Sequence, residues 1–183
     1  MSSDLKNNLV WMDMEMTGLD PKTCVVIEIA TLVTDKDLNL VAEGPVLVVH
    51  QPDSVLDAMD DWNKEHHGKS GLIQQVKDSK ISLAQAEQTT LDFIAQHSAP
   101  KASPLCGNTI YQDRRFLLEY MPKLESYLHY RLIDVSTIKE LVKRWYGPDF
   151  QSPPKKQTHK AMDDIRETIE EMKFYREKVF KKA

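Results

Sequence analysis

Apolar and polar positions alternate along Leu9–Met16 (LVWMDMEM), and β-branched residues crowd Val25–Asp35 (VVIEIATLVTD) and Leu40–His50 (LVAEGPVLVVH). Alternation and β-branching mark strands, because side chains on a strand point to opposite faces in turn. Gly18–Lys22 (GLDPK) supplies turn chemistry between the first two runs. Three such runs with short connections predict an antiparallel meander. The period then lengthens. Asp53–Ser70 mixes short helical signals with polar residues, and Ser82–His97 reads as a helix. Ser82 is its N-cap, and Leu83, Ala86, Thr90, Phe93 and Ile94 lie down one face. Pro104–Gly107 and Arg131–Asp134 are short strand candidates. A helix over about Asp113–Leu128 is interrupted near Pro122, and helices follow at Val135–Trp145 and Met162–Lys181. Pro148–Lys156 (PDFQSPPKK) reads as a loop. The order β-β-β-α-β-α-β-α-α predicts an α/β fold, a mixed sheet flanked by helices, over residues 1–183 as a single domain.

Composition narrows the class. The chain has 183 residues, enough for one sizeable core, with 41% hydrophobic and 28% charged residues. Lys and Arg number 24 against 28 Asp and Glu, a net charge of −4. That balance argues against a protein that grips long duplex nucleic acid through a broad basic face. It leaves room for a nuclease whose positive charge comes from metal ions. Cys24 and Cys106 are too few for a disulfide framework. The start MSSDLKNN lacks an apolar leader and no run is long enough for a membrane span, so the expectation is a cytoplasmic protein with no membrane partner.

Candidate chemistry begins with Asp13-Met14-Glu15 inside the first apolar run. Residues two apart share a face, about 7 Å apart along the strand. Two acids on one face of a strand are costly unless they are solvated, protonated or bound to a cation. An isolated D-x-E is more simply the wet face of an edge strand. Asp113 falls near the start of a helix, where an acid also serves as an ordinary dipole partner. His159 and Asp164 are five apart, which turns them about 140° on a helix. They converge only if His159 sits on the loop before the helix, and Ser152–Lys156 (SPPKK) favours that placement.

Together, D-x-E on a first strand, a mid-chain Asp and a late H-x4-D resemble the DEDDh exonucleases of ribonuclease-H-like fold. Five blocks narrow the resemblance to the oligoribonucleases: NLVWMDMEMTGLDP from Asn8, MDDWN from Met59, CGNTIYQDRRF from Cys106, HYRLIDVSTIKEL from His129 and THKAMDDIRE from Thr158. They occur in the family's order over essentially the whole chain. The resemblance implies a five-stranded mixed sheet and a 3′-to-5′ exoribonuclease that cuts very short RNA oligonucleotides to nucleoside 5′-monophosphates. It implies two divalent ions, Mg²⁺ or Mn²⁺, held by Asp13, Glu15, Asp113 and Asp164, with His159 as general base. It further implies a homodimer in which Tyr130 and Arg131 reach the partner's site. Leu19 and Trp62 would bracket a base, Thr109, Arg131 and Ser136 would cap a 5′ phosphate, and His67 would contact substrate. Arg114 and Arg115 read as helix-surface ion-pair residues. Thr109 stands where the family pattern has Ser, and Tyr111 where it has Gly. The rival readings are a related DEDDh exonuclease acting on single-stranded DNA or tRNA 3′ ends, and an inert binding module.

Overall fold

The first three strands form where the pattern places them: β1 (Leu9–Met16), β2 (Val26–Thr34) and β3 (Leu40–Val48). In the computed structural model, which describes residues 3–147, 150, 152 and 160–181, they pair as the expected antiparallel meander. His159 and most of the expected Pro148–Lys156 loop lie outside the described residues. β4 (Leu105–Gly107) pairs in parallel with β1, and β5 (Leu132–Asp134) in parallel with β4. The sheet order is β3-β2-β1-β4-β5. β1 is therefore the central strand, which removes the reading of Asp13 and Glu15 as the wet face of a sheet edge.

Helices cover both faces. α1 (Asp53–Asp57), α2 (Asp61–Lys69) and α3 (Leu72–Asp78) follow β3. α4 (Leu83–His97) starts on a capping box in which Ser82 and Gln85 satisfy each other's backbone N–H groups. The helix expected around Asp113–Leu128 is two, α5 (Tyr111–Tyr120) and α6 (Pro122–Tyr127). Pro122 opens the second, where its missing N–H costs nothing. α7 (Val135–Tyr146) and α8 (Ala161–Lys178) complete the chain's helices among the described residues.

The alternation of β1 decides which helices lie where. Val10, Met12, Met14 and Met16 pack with Ala86 and Ile94 of α4, Phe116 and Leu117 of α5 and Leu124 of α6. Trp11 faces the other way, into Val142 of α7 and Ile165 and Ile169 of α8. Each such buried side chain contributes roughly 1.5–3 kcal/mol. Asp13 and Glu15 share the face of Trp11, so α8 is the helix that meets them. β4 passes close behind: a Cβ on Gly107 would lie 2.9 Å from the Met12 carbonyl oxygen and 2.7 Å from Ile110 Cδ1. Gly107→Ala should therefore cost about 1–3 kcal/mol in urea unfolding. An unchanged midpoint would show that β1 and β4 are free to part.

Candidate active site

The parallel strands β1, β4 and β5 present their carboxyl ends along one edge of the sheet, which in open α/β sheets is where ligands bind. β1 delivers Asp13 and Glu15 there, and the first turn of α8 delivers Asp164. Carboxylate oxygens of these three residues lie within 4.8 Å of one another. Asp113 enters from the first turn of α5 and is buried. The Met14 N–H and its own N–H hydrogen-bond to its carboxylate. These are the acids the sequence singled out, brought together from positions up to 151 residues apart.

Their electrostatics are those of a site built to hold cations. Burial, then the charges of Asp13, Glu28 and Asp164, push the Glu15 carboxyl from 4.5 up to about 8. Asp113 is raised well above the ordinary carboxylate range by burial and by Asp13. An all-oxygen donor set that repels itself suits hard divalent ions, since dications reverse the penalty. The residues present thus fit the divalent-metal site expected of them.

A pH dependence follows. Glu15 keeps in the folded state a proton that the unfolded chain gives up near 4.5. Its contribution to stability is full below that value and is lost as pH rises through about 8. The raised Glu28 and Asp113 carboxyls act in the same direction. In chelator, the melting temperature should fall across this window, and Mn²⁺ should stabilise most at its upper end. A flat profile by calorimetry would contradict the burial and mutual repulsion of these acids.

The expected substrate residues surround this cluster unevenly. Leu19 and Trp62 are both exposed, at 72% and 67%. Trp62 stacks on His66 with centroids 4.6 Å apart. His67, expected to touch substrate, is only 2% exposed. Its Nε2–H donates to the Met16 carbonyl at 3.0 Å, and its Nδ1 lies 3.9 Å from Glu15. Because a carbonyl only accepts, this contact fixes the tautomer, and burial lowers the ring's pKa and keeps it neutral. His67 thus backs Glu15 and has no open face toward a ligand.

Thr109 and Ser136 do meet. The Thr109 N–H donates to Asp134 Oδ1 at 2.9 Å and to Ser136 Oγ at 3.2 Å. Thr109 sits at φ 51°, a strained conformation for a β-branched residue. Tyr130 is 71% exposed, with the Arg131 guanidinium 5.4 Å from its ring centroid. Arg114 forms the expected ion pair, with Glu125, and also binds the His129 and Tyr130 carbonyls. Arg115 instead donates to the carbonyl of Leu19 and to Gln112. Tyr111 is 60% exposed, so its bulk leaves the first turn of α5 undisturbed.

Comparison with known proteins settles the kinship. Residues 10–172 match the exonuclease family model RNase_T. Oligoribonuclease of Bordetella pertussis is 60% identical over 176 residues, 96% of this chain and 97% of that one. Oligoribonuclease of Chromobacterium violaceum is 58% identical over 175 residues, with the same shares covered. This chain belongs to the oligoribonuclease family. The fold is shared more widely: the zinc-bound form of the E. coli exonuclease I–single-stranded DNA complex aligns with TM-score 0.74 at 14% identity. The match covers 94% of this chain, which spans only 41% of that larger protein. No helix among the described residues of this oligoribonuclease-family chain is long and apolar enough to cross a membrane.

Two residues escaped the sequence reading. Glu28 pairs directly with Glu15 across β1 and β2 and is 7% exposed. Its carboxylate accepts from the Ala161 N–H at 3.4 Å, tying β2 to the start of the helix that carries Asp164. A glutamate inside a strand that is otherwise buried throughout was the available signal. Asp134 is the other. It pairs with Gly107 in the sheet and accepts from the Thr109 N–H, the Ser136 N–H and the Ser136 hydroxyl, the last at 2.5 Å.

Proposed function

We propose that this chain is a 3′-to-5′ exoribonuclease that hydrolyses very short oligoribonucleotides, dinucleotides above all, to nucleoside 5′-monophosphates. One observation carries the reading: Asp13, Glu15 and Asp164 present carboxylates within 4.8 Å of one another in a chain 60% identical to an oligoribonuclease. In this reading residues 1–183 form one exonuclease domain working in the cytoplasm. Asp13, Glu15, Asp113 and Asp164 hold two divalent ions, Mg²⁺ or Mn²⁺. Once bound, such ions acidify water and offset charge on the phosphate.

The chain's own residues do the rest. His159 takes the proton of the attacking water, a role suited to an imidazole with an ordinary pKa near 6.5. The water oxygen adds to phosphorus, and the bond to the 3′ oxygen of the preceding nucleotide breaks. That oxygen takes a proton from solvent to become a hydroxyl, and the terminal nucleotide leaves with its 5′ phosphate. His67 and Glu28 hold Glu15 and α8 in place from behind. Leu19 and Trp62 bracket a base, where stacking contributes roughly 1–3 kcal/mol. Thr109, Arg131 and Ser136 cap the 5′ phosphate, and a closed cap leaves no path for a longer chain.

The protein acts as a homodimer, with Tyr130 and Arg131 reaching across. The exposure of Tyr130, at 71%, supports this, since it leaves the ring free to meet a partner. The direct test is product analysis of an RNA dinucleotide digest. With a 5′-phosphorylated dinucleotide, Mn²⁺ should yield two nucleoside 5′-monophosphates, and chelator should leave the substrate intact. A 3′-phosphate product, or cleavage in chelator, would refute the reading.

A further inference from the structure

The loop between β1 and β2 carries Leu19, and α5 grips that loop with three side chains. Gln112 Nε2 donates to the Leu19 carbonyl. Arg115 Nη1 donates to the same oxygen at 3.2 Å and to Gln112 Oε1 at 2.8 Å, closing a triangle. Farther along the helix, the Tyr120 hydroxyl lies 2.8 Å from both the Pro21 and Cys24 carbonyl oxygens and donates to one at a time. The loop is braced from within as well. Thr23 and Cys24 N–H groups converge on the Asp20 carbonyl, and the Val25 N–H donates to Thr17 Oγ1 at 3.0 Å. Cys24 Sγ fills the space beside Gly18, only 2.6 Å from where a Cβ would stand.

This backbone is fixed although the Leu19 side chain itself is 72% exposed. Hydrogen bonds that immobilise an exposed leucine give the core nothing. They fix the backbone from which this apolar wedge projects. The first turn of the same helix carries Asp113, next in sequence to Gln112. One rigid element therefore spans the wedge and the acidic cluster.

We propose that Gln112 and Arg115 are positioning residues that fix Leu19 relative to the carboxylates and so set where the substrate's base stops. The proposal rests on reading Leu19 as a base contact. Mislocating the wedge loosens substrate binding while the reacting groups stay in place. Arg115→Ala and Gln112→Ala should each raise KM for an RNA dinucleotide about tenfold while kcat stays within about twofold. Mn²⁺ affinity by calorimetry should be unchanged, and amide hydrogen exchange of residues 18–24 should quicken.

A double-mutant cycle separates this from direct phosphate binding by Arg115. In a Leu19→Ala background, Arg115→Ala should add nothing further to KM. Additive losses with unaltered exchange in the loop would make Arg115 a substrate ligand and overturn the proposal. A raised KM in Leu19→Ala beside wild-type kinetics in both Arg115→Ala and Gln112→Ala would overturn it alone. An unchanged KM in Leu19→Ala would overturn the base-contact reading and the proposal with it.

Discussion

Asp13→Ala is expected to lower dinucleotide hydrolysis by at least about a thousandfold, the factor that corresponds to losing several kcal/mol of charge stabilisation at the phosphate. In chelator, the same variant should melt at a higher temperature than the wild type. Both follow from one arrangement. Asp13 shares a 4.8 Å carboxylate group with Glu15 and Asp164, and its charge raises both Glu15 and Asp113. Its removal relieves repulsion in the metal-free protein and deletes a donor needed by the loaded one. Function and stability are opposed at such sites. Asp164→Ala should behave alike, because it too raises Glu15. Calorimetric Mn²⁺ titration checks the cause, and wild-type metal affinity in both variants would remove these acids from the site.

The second large effect concerns Tyr130. Its carbonyl is held by Arg114 at 3.1 Å and its ring lies stacked on His129 with centroids 4.4 Å apart. The side chain is nevertheless 71% exposed, so truncation touches little of the fold. Tyr130→Ala should melt like the wild type and cleave dinucleotides at least about a hundredfold more slowly, as loss of a positioning contact does. Mixing makes the prediction sharper. If Tyr130 serves the partner's site, refolding Tyr130→Ala together with Asp13→Ala should recover about a quarter of wild-type turnover. Half of the two-fold dimers are then mixed, and each holds one complete site of two. No recovery on mixing, with both variants folded and dimeric, would place Tyr130 in its own subunit's site or in none.

What the sequence shows of this molecule depends on how far each signal reaches. The strands were legible because alternation in LVWMDMEM and β-branching in VIEIATLVT are local properties of a pleated chain. The capping box at Ser82 and the break at Pro122 are equally local. α3 was missed because it is short and begins at Gly71 with φ 78°, after a helix rich in polar residues, leaving too few turns for a period to emerge. The acids of the cluster stood out as charges in apolar or helix-start contexts, but only β1's central position shows why their burial is costly. Glu28 passed as one polar residue in a strand whose other members are apolar or small. Asp134 read as a strand end, since its role depends on register with Gly107. His67 was expected only as a substrate contact, and its hydrogen bond to the Met16 carbonyl, 51 residues away, is recorded by no side-chain pattern.

The specificity for very short RNA is tested most directly by competition. An RNA dinucleotide, a long single-stranded RNA and a short single-stranded DNA, each labelled, would be offered together to the Mn²⁺-loaded protein. A capped pocket that accepts only fragments predicts kcat/KM for the dinucleotide at least about tenfold above either competitor. Equal or faster cleavage of the long RNA or the DNA would contradict it.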